Sequence, residues 1–284
     1  MKQYQSEFSG SFYPSDSSTL ESMISNFLNN VDEQNFQNFN EELFAVVAPH
    51  AGYIYSGQTA AYSYKLLAKE NLDFVIVLFP SHKFYFEGGL SIHEGTFSTP
   101  LGPLSVSSDI TFKLIEDKFI FDRHDLLVKE HSFDVQLPFI KKVLPNVKIV
   151  PLMICSNNLK TIDGIAEIMF KTLKSENKKF AFILSADLSH YNDHKTASKL
   201  DEETIEAIMS LDNEKINQKH IETCGKNPIM TAVSLMNKFN IKNKNSVLLH
   251  YSHSGDVSKN FNEVVGYASI AIFKNHLKEN IDNT

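Results

Sequence analysis

Six short, nearly continuous apolar runs separated by helical patterns constrain the fold of this chain more than any other feature of its sequence. The runs are rich in Val, Ile, Leu and Phe, which is typical of strands that are buried on both faces of a sheet. Strands that alternate with helices predict a layered α/β domain, with a largely parallel or mixed central sheet flanked by helices. We expect residues 1–284 to form this one domain. The apolar runs are 43–48, 74–79, 147–154, 180–185, 246–251 and 264–273.

Helical patterns fill several of the intervals between these runs. Asn227 and Pro228 predict the start of a further helix, with Asn at the N-cap and Pro at the first helical position. Residues 90–107 break the alternation, because Gly and Pro punctuate short β-like pieces, and a hairpin is predicted there. The Asn-rich stretch 29–40 is interpreted as a loop or a frayed helix end rather than a domain boundary. The other helical segments are 17–28, 57–69, 159–174 and 196–209.

Composition and charge exclude several classes of function. The chain has 284 residues, of which 42% are hydrophobic and 21% charged, so it can bury a core without disulfide or metal staples. Its net charge is −7 and Arg123 is its one arginine, which argues against nucleic-acid binding. The chain has no run of 18 apolar residues, so no membrane contact by a spanning helix is predicted. Cys155 and Cys224 do not make a disulfide framework, and residues 1–7 lack an apolar signal stretch, so we expect a cytoplasmic protein.

Histidines collect where three of the apolar runs end. His50, His82 and His190 each follow one of these runs. Ligands of open α/β sheets bind outside the carboxyl ends of the strands. One histidine after a strand is usually a capping or loop residue, but three at equivalent positions favour a shared cleft, provided that the strands are parallel neighbours. Histidines without this setting are interpreted as surface residues, namely His93, His194, His220 and His276.

Cys224 is a candidate ligand or nucleophile. It lies in a polar stretch just before the helix that Asn227 is predicted to open. A helix N-terminus lowers the pKa of a thiol, so we expect the thiolate form to be favoured there. Cys155 closes an apolar run and is interpreted as a buried structural cysteine. Two or three histidines together with one thiolate are a suitable donor set for Zn, Fe or Cu.

Three further residues are predicted to support this cleft. Asp187 and Glu130 are expected to accept hydrogen bonds that orient the imidazoles. For Asp187 the donor is expected to be an imidazole or a backbone N–H, with the carboxylate ionised. The alternative for Asp187 is an N-cap of the following turn. His131 is expected either to help cap a helix or to line the cleft.

Several motifs along the chain resemble those of the Memo (mediator of ErbB2-driven cell motility) family, which includes the bacterial and archaeal AmmeMemoRadiSam system protein B. The motifs occur in family order from about residue 7 to residue 273, so the resemblance covers nearly the whole chain. One departure is Phe12, where the family often has Trp, and this change removes an indole N–H donor. The matching segments are SGSFYP at 9–14, APHAGYIYSG at 48–57, PSH at 80–82, EHSFDVQLP at 130–138, SADLSHY at 185–191, CG at 224–225 with PI at 228–229, and GYA at 266–268.

The resemblance implies a fold similar to that of class III extradiol dioxygenases, which are non-haem iron enzymes. It also implies a metal ion held by His50, His82 and Cys224, expected to be iron or copper with zinc as an alternative. The dioxygenases have a carboxylate where this family has the thiolate. The change in charge and softness argues against ring cleavage. The other cleft residues implied are His190 and Asp187 in catalytic roles, and Tyr55, His131 and Phe12 along the walls.

Three functions are consistent with these residues. The first, which we favour, is a redox-active metalloprotein or oxidoreductase with O₂ or a substrate at an open position on the metal. The second is a binding module that takes a peptide or a modified side chain in the cleft without performing chemistry. The third is a hydrolase or transferase with Cys224 as nucleophile, His50 or His190 as base, and Asp187 orienting that base. The partners implied by the resemblance are AMMECR-type and radical-SAM proteins, besides a small-molecule or peptide ligand in the cleft.

Overall fold

The computed structural model describes residues 2–36, 41–116, 118–242 and 244–274. In these residues the predicted strands and helices alternate along the chain. The strands are β1 (Gln3–Tyr4), β2 (Glu42–Ala48), β3 (Phe74–Pro80), β4 (Gly89–Ser91), β5 (Thr96–Thr99), β6 (Gly102–Ser105), β7 (Ile120–Asp122), β8 (Lys148–Ile154), β9 (Phe180–Ser185), β10 (His190–Asn192), β11 (Lys244–His253) and β12 (Val264–Lys274). The helices are α1 (Ser17–Asn29), α2 (Tyr53–Leu67), α3 (Ser108–Ile115), α4 (His124–Leu127), α5 (His131–Asp134), α6 (Gln136–Val143), α7 (Leu159–Leu173), α8 (His194–Met209), α9 (Asn213–Ile216), α10 (Lys226–Lys238) and α11 (Gly255–Ser258), with a short 3₁₀ helix at Glu33–Phe36.

The main sheet brings distant segments of the chain to one edge. β2, β9, β3 and β8 lie side by side in that order, and all four are parallel. β12 and β4 extend this group in the antiparallel direction, so the sheet is mixed, as expected. Because β2, β9 and β3 are parallel neighbours, their carboxyl ends lie next to one another. In the described residues the full order is β10-β12-β2-β9-β3-β8-β4-β7, with β11 beside β12.

The central strands are buried on both faces, which is why they appear in the sequence as continuous apolar runs. In β3, Val77 and Phe79 belong to one apolar cluster, whereas Ile76 and Leu78 belong to the other, as the two-residue period of a strand requires. Residues of α1, α2 and α6 pack in the first cluster, and residues of α7, α8 and α10 pack in the second. The two clusters fix the sheet as the middle layer of the molecule.

The irregular segment between β4 and α3 forms the predicted hairpin. β5 and β6 pair in the antiparallel direction, and Thr99 lies opposite Gly102 at the turn. Gly102 has a φ of +117°, a left-handed conformation that glycine adopts without a steric penalty. β1 pairs with β5 and completes a small second sheet in the described part of the chain.

Three helices begin at residues other than those predicted, and one of them, α8, begins at His194 rather than at residue 196. α2 begins at Tyr53, four residues earlier than expected. α10 begins at Lys226 with Gly225 at the N-cap, so the predicted cap, Asn227, lies inside the first turn. A Cβ atom on Gly225 would lie 2.2 Å from the Cβ of Ala186, so only glycine permits this close approach of the helix to the end of β9. The helix start is therefore determined by packing rather than by capping.

The remaining sequence predictions concern the surface and the peripheral segments. No helix in the described ranges has the length and apolar character that a membrane crossing requires. Of the histidines interpreted as surface residues, His220 is exposed and His93 and His194 are partly exposed, while His276 lies outside the described residues. The Asn-rich stretch contains the end of α1 and the 3₁₀ helix, and its last four residues, 37–40, also lie outside the described ranges.

Candidate metal centre

Three side chains from distant parts of the chain meet at the edge where β2 and β3 end. His50 lies two residues beyond β2, His82 lies two residues beyond β3, and Cys224 precedes α10. One ligand atom of each, an imidazole nitrogen or the thiol sulfur, lies within 4.8 Å of the other two. Two bonds of about 2.3 Å to a common ion span at most roughly 4.6 Å, so only a small movement is needed for all three to hold one metal.

The hydrogen bonds around His50 determine which of its ring nitrogens carries the proton. Nδ1 lies 2.8 Å from the hydroxyl oxygen of Ser185. Ser185 donates its one hydroxyl proton to the carbonyl of Ser132 at 2.6 Å and accepts a hydrogen bond from the side-chain amide of Gln136 at 2.8 Å. Toward His50, Ser185 can therefore only accept, so Nδ1 carries the proton. Nε2 then presents a lone pair, and it lies 3.2 Å from the sulfur of Cys224.

This assignment depends on the orientation of the Gln136 amide, which its other partners fix. The hydroxyl of Tyr64 donates to Oε1 of Gln136 at 2.5 Å. Nε2 of Gln136 donates to the carbonyl of Pro49 at 3.1 Å. If the amide were flipped, its oxygen would face the carbonyl oxygen of Pro49, and two acceptors would oppose each other. The amide nitrogen must therefore face both Pro49 and Ser185.

Burial also keeps His50 neutral. Its relative exposure is 1%, and this burial, together with the nearby imidazoles of His82 and His131, lowers its pKa well below the ordinary range. A neutral imidazole with a free Nε2 is the form that binds a metal ion. The surroundings of His50 thus keep it in the form that could bind a metal ion.

His82 is oriented by a buried carboxylate. Glu130 accepts the backbone N–H of His82 at 2.7 Å and lies 2.8 Å from its Nδ1. Burial raises the pKa of Glu130, but hydrogen bonds from His131 and His82 outweigh burial and hold that pKa well below the usual range. Because an ionised carboxylate can only accept, the proton lies on Nδ1 of His82, and Nε2 is free. Glu130 also caps α5 by accepting the backbone N–H of Ser132 at 3.2 Å.

Cys224 completes the donor set, but as a thiol rather than the expected thiolate. Its sulfur accepts the backbone N–H of Asp187 at 3.2 Å. Burial, followed by the charge of Asp187, raises the pKa of Cys224 well above its usual range. The prediction that the helix N-terminus lowers this pKa is therefore wrong, because desolvation outweighs the helix dipole at this buried position. The thiol faces Nε2 of His50, so a metal ion must displace its proton in order to bind.

Asp187 holds the backbone of the site rather than an imidazole. Its Oδ1 accepts the backbone N–H of His50 at 2.7 Å, one of the two partners predicted for it. Its Oδ2 lies 4.0 Å from Nε2 of His50, beyond hydrogen-bond distance. The alternative of a local N-cap is wrong, because the residue that Asp187 accepts from is 137 positions away. Burial raises the pKa of Asp187 above its usual value.

The other predicted cleft residues surround this cluster at different depths. The ring of His131 lies 4.5 Å from that of His82 and 5.0 Å from that of Phe12, so these rings form an aromatic layer beside the donor set. His131 is also the first residue of α5. Tyr55 lies in the first turn of α2 and is 37% exposed. His190 lies in β10 and is partly exposed, and in the described residues it does not join the three-ligand group.

Comparison with known proteins decides the family. A family model described as "Memo-like protein" matches residues 5–271. This chain belongs to the Memo-like family. A MEMO1 family protein of Methanococcus maripaludis strain C5 is 36% identical to it over 239 residues, covering 80% of this chain and 83% of the relative. A MEMO1 family protein of Saccharolobus solfataricus is 34% identical over 272 residues, covering 91% of this chain and 95% of the relative.

The Memo-like chain also shares its fold with a solved structure. The crystal structure of uncharacterized protein JW3007 from Escherichia coli K12 matches it with a TM-score of 0.53 and 10% sequence identity. The match covers 81% of this chain and 99% of the other. At this identity the likeness concerns the fold alone, and it agrees with the mixed α/β architecture.

A cavity of about 300 Å³ opens beside the donor set of the Memo-like chain, where a cleft was expected, and its wall includes asparagines that were not predicted. His82 and Cys224 line one part of it, while Asn157 and Asn227 meet in another part through an amide–amide hydrogen bond of 2.5 Å. Cys155 borders the same cavity but is 5% exposed, and burial raises its pKa to about 12. Cys155 is thus the buried cysteine that the sequence predicts, although it lies near the centre.

Sequence reasoning missed the neutral residues that hold His50. Ser185 and Gln136 both lie inside motifs that match the family, but neither carries a charge or a ligand atom that marks it as functional. Their role follows only from a network that joins segments 49 positions apart. The available signal was a polar residue, Ser185, at the end of an otherwise apolar buried strand.

Proposed function

We propose that this Memo-like protein is a redox-active metalloprotein with oxidoreductase activity that holds iron or copper through His50, His82 and Cys224. The observation that carries the proposal is the donor set, whose ligand atoms lie within 4.8 Å of one another. Both imidazoles donate through Nδ1 to a fixed partner, which is the usual arrangement of metal-binding histidines. The residues therefore fit an ion that accepts nitrogen and sulfur ligands.

The donor set restricts the chemistry of the ion. Thiolate and imidazole together suit copper, iron and zinc, whereas magnesium and calcium prefer oxygen ligands. Iron or copper, when bound, supplies one-electron and dioxygen chemistry. Zinc has no redox chemistry, so zinc as the resident ion would replace the redox proposal by a Lewis-acid or structural role.

The surrounding residues suit a site that also takes a small ligand. Three protein ligands leave a coordination position open, as in catalytic metal sites. The cavity beside His82 and Cys224 provides space, and Asn157 and Asn227 provide polar groups on its wall. The proposed ligand is a small molecule or a peptide side chain that enters this cavity. We include a cytoplasmic location and AMMECR-type and radical-SAM partners in the proposal, on the strength of the family resemblance.

A cysteine-dependent hydrolase is the second candidate, because one contact favours it. The sulfur of Cys224 lies 3.2 Å from Nε2 of His50, which is the distance of a nucleophile from its general base. Burial, however, raises the pKa of Cys224 and lowers that of His50, and both shifts oppose the thiolate–imidazolium pair that such enzymes use. The metal proposal makes use of the same geometry without requiring that ion pair.

The metal content of the protein and of Cys224→Ser tests the proposal. We expect wild-type protein purified without an affinity tag to contain iron or copper by elemental analysis. Serine replaces a soft anionic donor with a hard neutral one, so Cys224→Ser should lose Cu(I) and bind Fe(II) at least about tenfold more weakly. Cys155→Ser is the matched control, because Cys155 is the other free thiol and lies outside the donor set, and it should keep wild-type metal content.

Three results would overturn this proposal. Equal metal content in wild type and Cys224→Ser would remove the sulfur from the centre. A covalent adduct between Cys224 and an acyl donor, detected by mass spectrometry, would favour the hydrolase. A protein that stays free of metal after iron or copper is added, yet still binds a peptide in the cleft, would favour a binding module.

A further inference from the structure

Asp201 is a fully buried carboxylate that the proposed function does not use. It lies on α8, and its relative exposure is 0%. One of its oxygens accepts the backbone N–H of Ser189 at 2.9 Å, and the other accepts the hydroxyl of Tyr251 at 2.8 Å. Burying a carboxylate is costly unless hydrogen bonds compensate it. The two partners therefore indicate what Asp201 holds in place.

Gly266 on β12 makes room for this carboxylate. A Cβ atom on Gly266 would lie 1.9 Å from Oδ2 of Asp201, so no other residue fits beside it without displacing the carboxylate. The backbone of Gly266 also donates to the carbonyl of Ser189 at 3.0 Å and accepts the N–H of Leu188 at 2.9 Å. Residues 188–189 are thus held between the carboxylate of α8 and the backbone of β12.

The segment held in this way continues directly into the metal centre. Asp187, the preceding residue, donates its backbone N–H to the sulfur of Cys224 at 3.2 Å and accepts the backbone N–H of Cys224 at 3.3 Å. Its carboxylate accepts the backbone N–H of His50 at 2.7 Å. The segment 187–189 therefore contacts two of the three candidate ligands, and Asp201 holds this segment through the backbone N–H of Ser189.

We propose that Asp201 is a positioning residue for the metal centre, acting through Ser189 and Asp187 on Cys224. The part of this inference that concerns metal binding rests on the proposed function. The part that concerns the position of Cys224 rests on the hydrogen bonds of residues 187–189. Hydrogen bonds to a ligating sulfur tune the energy and the redox behaviour of the metal–thiolate bond. A displaced 187–189 segment alters the N–H···S bond from Asp187, which changes the centre without removing any ligand.

Cobalt(II) binding by Asp201 variants tests this role, with Co(II) alone as the probe. We expect Asp201→Ala to bind Co(II) about tenfold more weakly, at the lower end of the range for residues that support ligands. Its sulfur-to-cobalt charge-transfer band should also shift to lower energy. Asp201→Asn keeps an oxygen acceptor for Ser189 and should bind nearly as wild type does. Tyr251→Phe removes one of the two groups that hold the carboxylate and should give a smaller change in the same direction.

Two controls separate positioning from general destabilisation. Thr111→Val removes a buried side-chain hydrogen bond in α3, where Thr111 donates to the carbonyl of His93 at 2.6 Å, and should leave the band unchanged. In metal-free protein, iodoacetamide should alkylate Cys224 several-fold faster in Asp201→Ala than in wild type or Thr111→Val. This readout needs no metal, so it tests the positioning even if the wild type binds no cobalt and the proposed function fails.

Unchanged affinity, charge-transfer band and alkylation rate in both Asp201→Ala and Tyr251→Phe would overturn the inference. Equal changes in Asp201→Ala and Thr111→Val would overturn it as well, since the effect would then follow stability alone. If Asp201→Ala does not fold, the same three measurements are compared between Tyr251→Phe and Asp201→Asn. That comparison then decides whether Asp201 positions the centre.

Discussion

The two histidines of the candidate centre have the same tautomer but are held by different chemistry. His50 is buried, and its Nδ1 donates to the neutral hydroxyl of Ser185. The side chain of His82 is 31% exposed, and its Nδ1 donates to the buried carboxylate of Glu130. Both arrangements leave Nε2 free, so a carboxylate is not needed to fix the tautomer of a histidine here. We infer from this difference that Glu130 would contribute charge, because its carboxylate and a deprotonated Cys224 would together balance a divalent ion.

The largest effect should come from removing that charge. Glu130→Gln keeps the shape of the side chain and an oxygen acceptor for His82 but loses the negative charge. We expect the affinity for a divalent ion to fall by about 10- to 100-fold, the usual cost of losing a carboxylate partner of a ligating histidine. Competition with a chelator of known affinity measures it. Glu87→Gln is the control, because Glu87 binds the hydroxyls of Ser156 and Thr161 and contacts neither histidine. Equal losses in both variants would contradict the special role of Glu130.

Acid should destabilise the metal-free protein in two pH windows, one set by His50 and the other by Glu130. The folded state lowers the pKa of His50, mainly through burial, so His50 contributes stability that is lost as the pH falls below about 6.5. The folded state also lowers the pKa of Glu130, so its contribution is lost only as the pH falls below about 4.3. Each group changes the unfolding free energy by up to about 1.4 kcal/mol per pH unit.

Urea unfolding with a chelator present, at several pH values from 7.5 to 3, measures both windows. His50→Gln should flatten the dependence above about pH 4.5, and Glu130→Gln should flatten it below that value. A stability that rises on acidification from pH 7 to 5 would contradict the neutral, buried state of His50.

A smaller effect is expected at the neutral partner. Ser185→Ala leaves the Nδ1–H of His50 and an amide N–H of Gln136 without their acceptor, which should cost about 1–3 kcal/mol of stability. Metal affinity should fall only a few-fold, because no charge is lost and packing still holds the ring. Ser63→Ala is the control for stability, since Ser63 is equally buried and donates to the carbonyl of Val47. A loss of affinity as large as that of Glu130→Gln would remove the contrast between the two histidines.

The strands and the strand-end histidines could be predicted from the sequence because both depend on local patterns. A doubly buried strand is apolar along its length, and residues after parallel neighbours share one edge. This rule selects His50, His82 and His190 alike. Cys224 was indicated by its polar stretch before a predicted helix, but only the family resemblance placed it with His50 and His82 rather than with His190.

The electrostatics could not be predicted, because they depend on burial and on long-range partners. The helix N-terminus near Cys224 suggested a lowered pKa, but desolvation of the thiol raises that pKa instead. Asp187 was expected to orient an imidazole or a backbone group, and only the fold selects the backbone N–H of His50. Asp201 lies outside the motifs that resemble the family, although we propose that it fixes the segment that carries Asp187.

X-ray absorption spectroscopy of the metal in the purified protein tests the central claim most directly. The account predicts two imidazole nitrogens at about 2.0–2.1 Å and one sulfur at about 2.3 Å from the ion, with the sulfur absent in Cys224→Ser. A wild-type spectrum fitted by nitrogen and oxygen alone would contradict the His50, His82 and Cys224 centre.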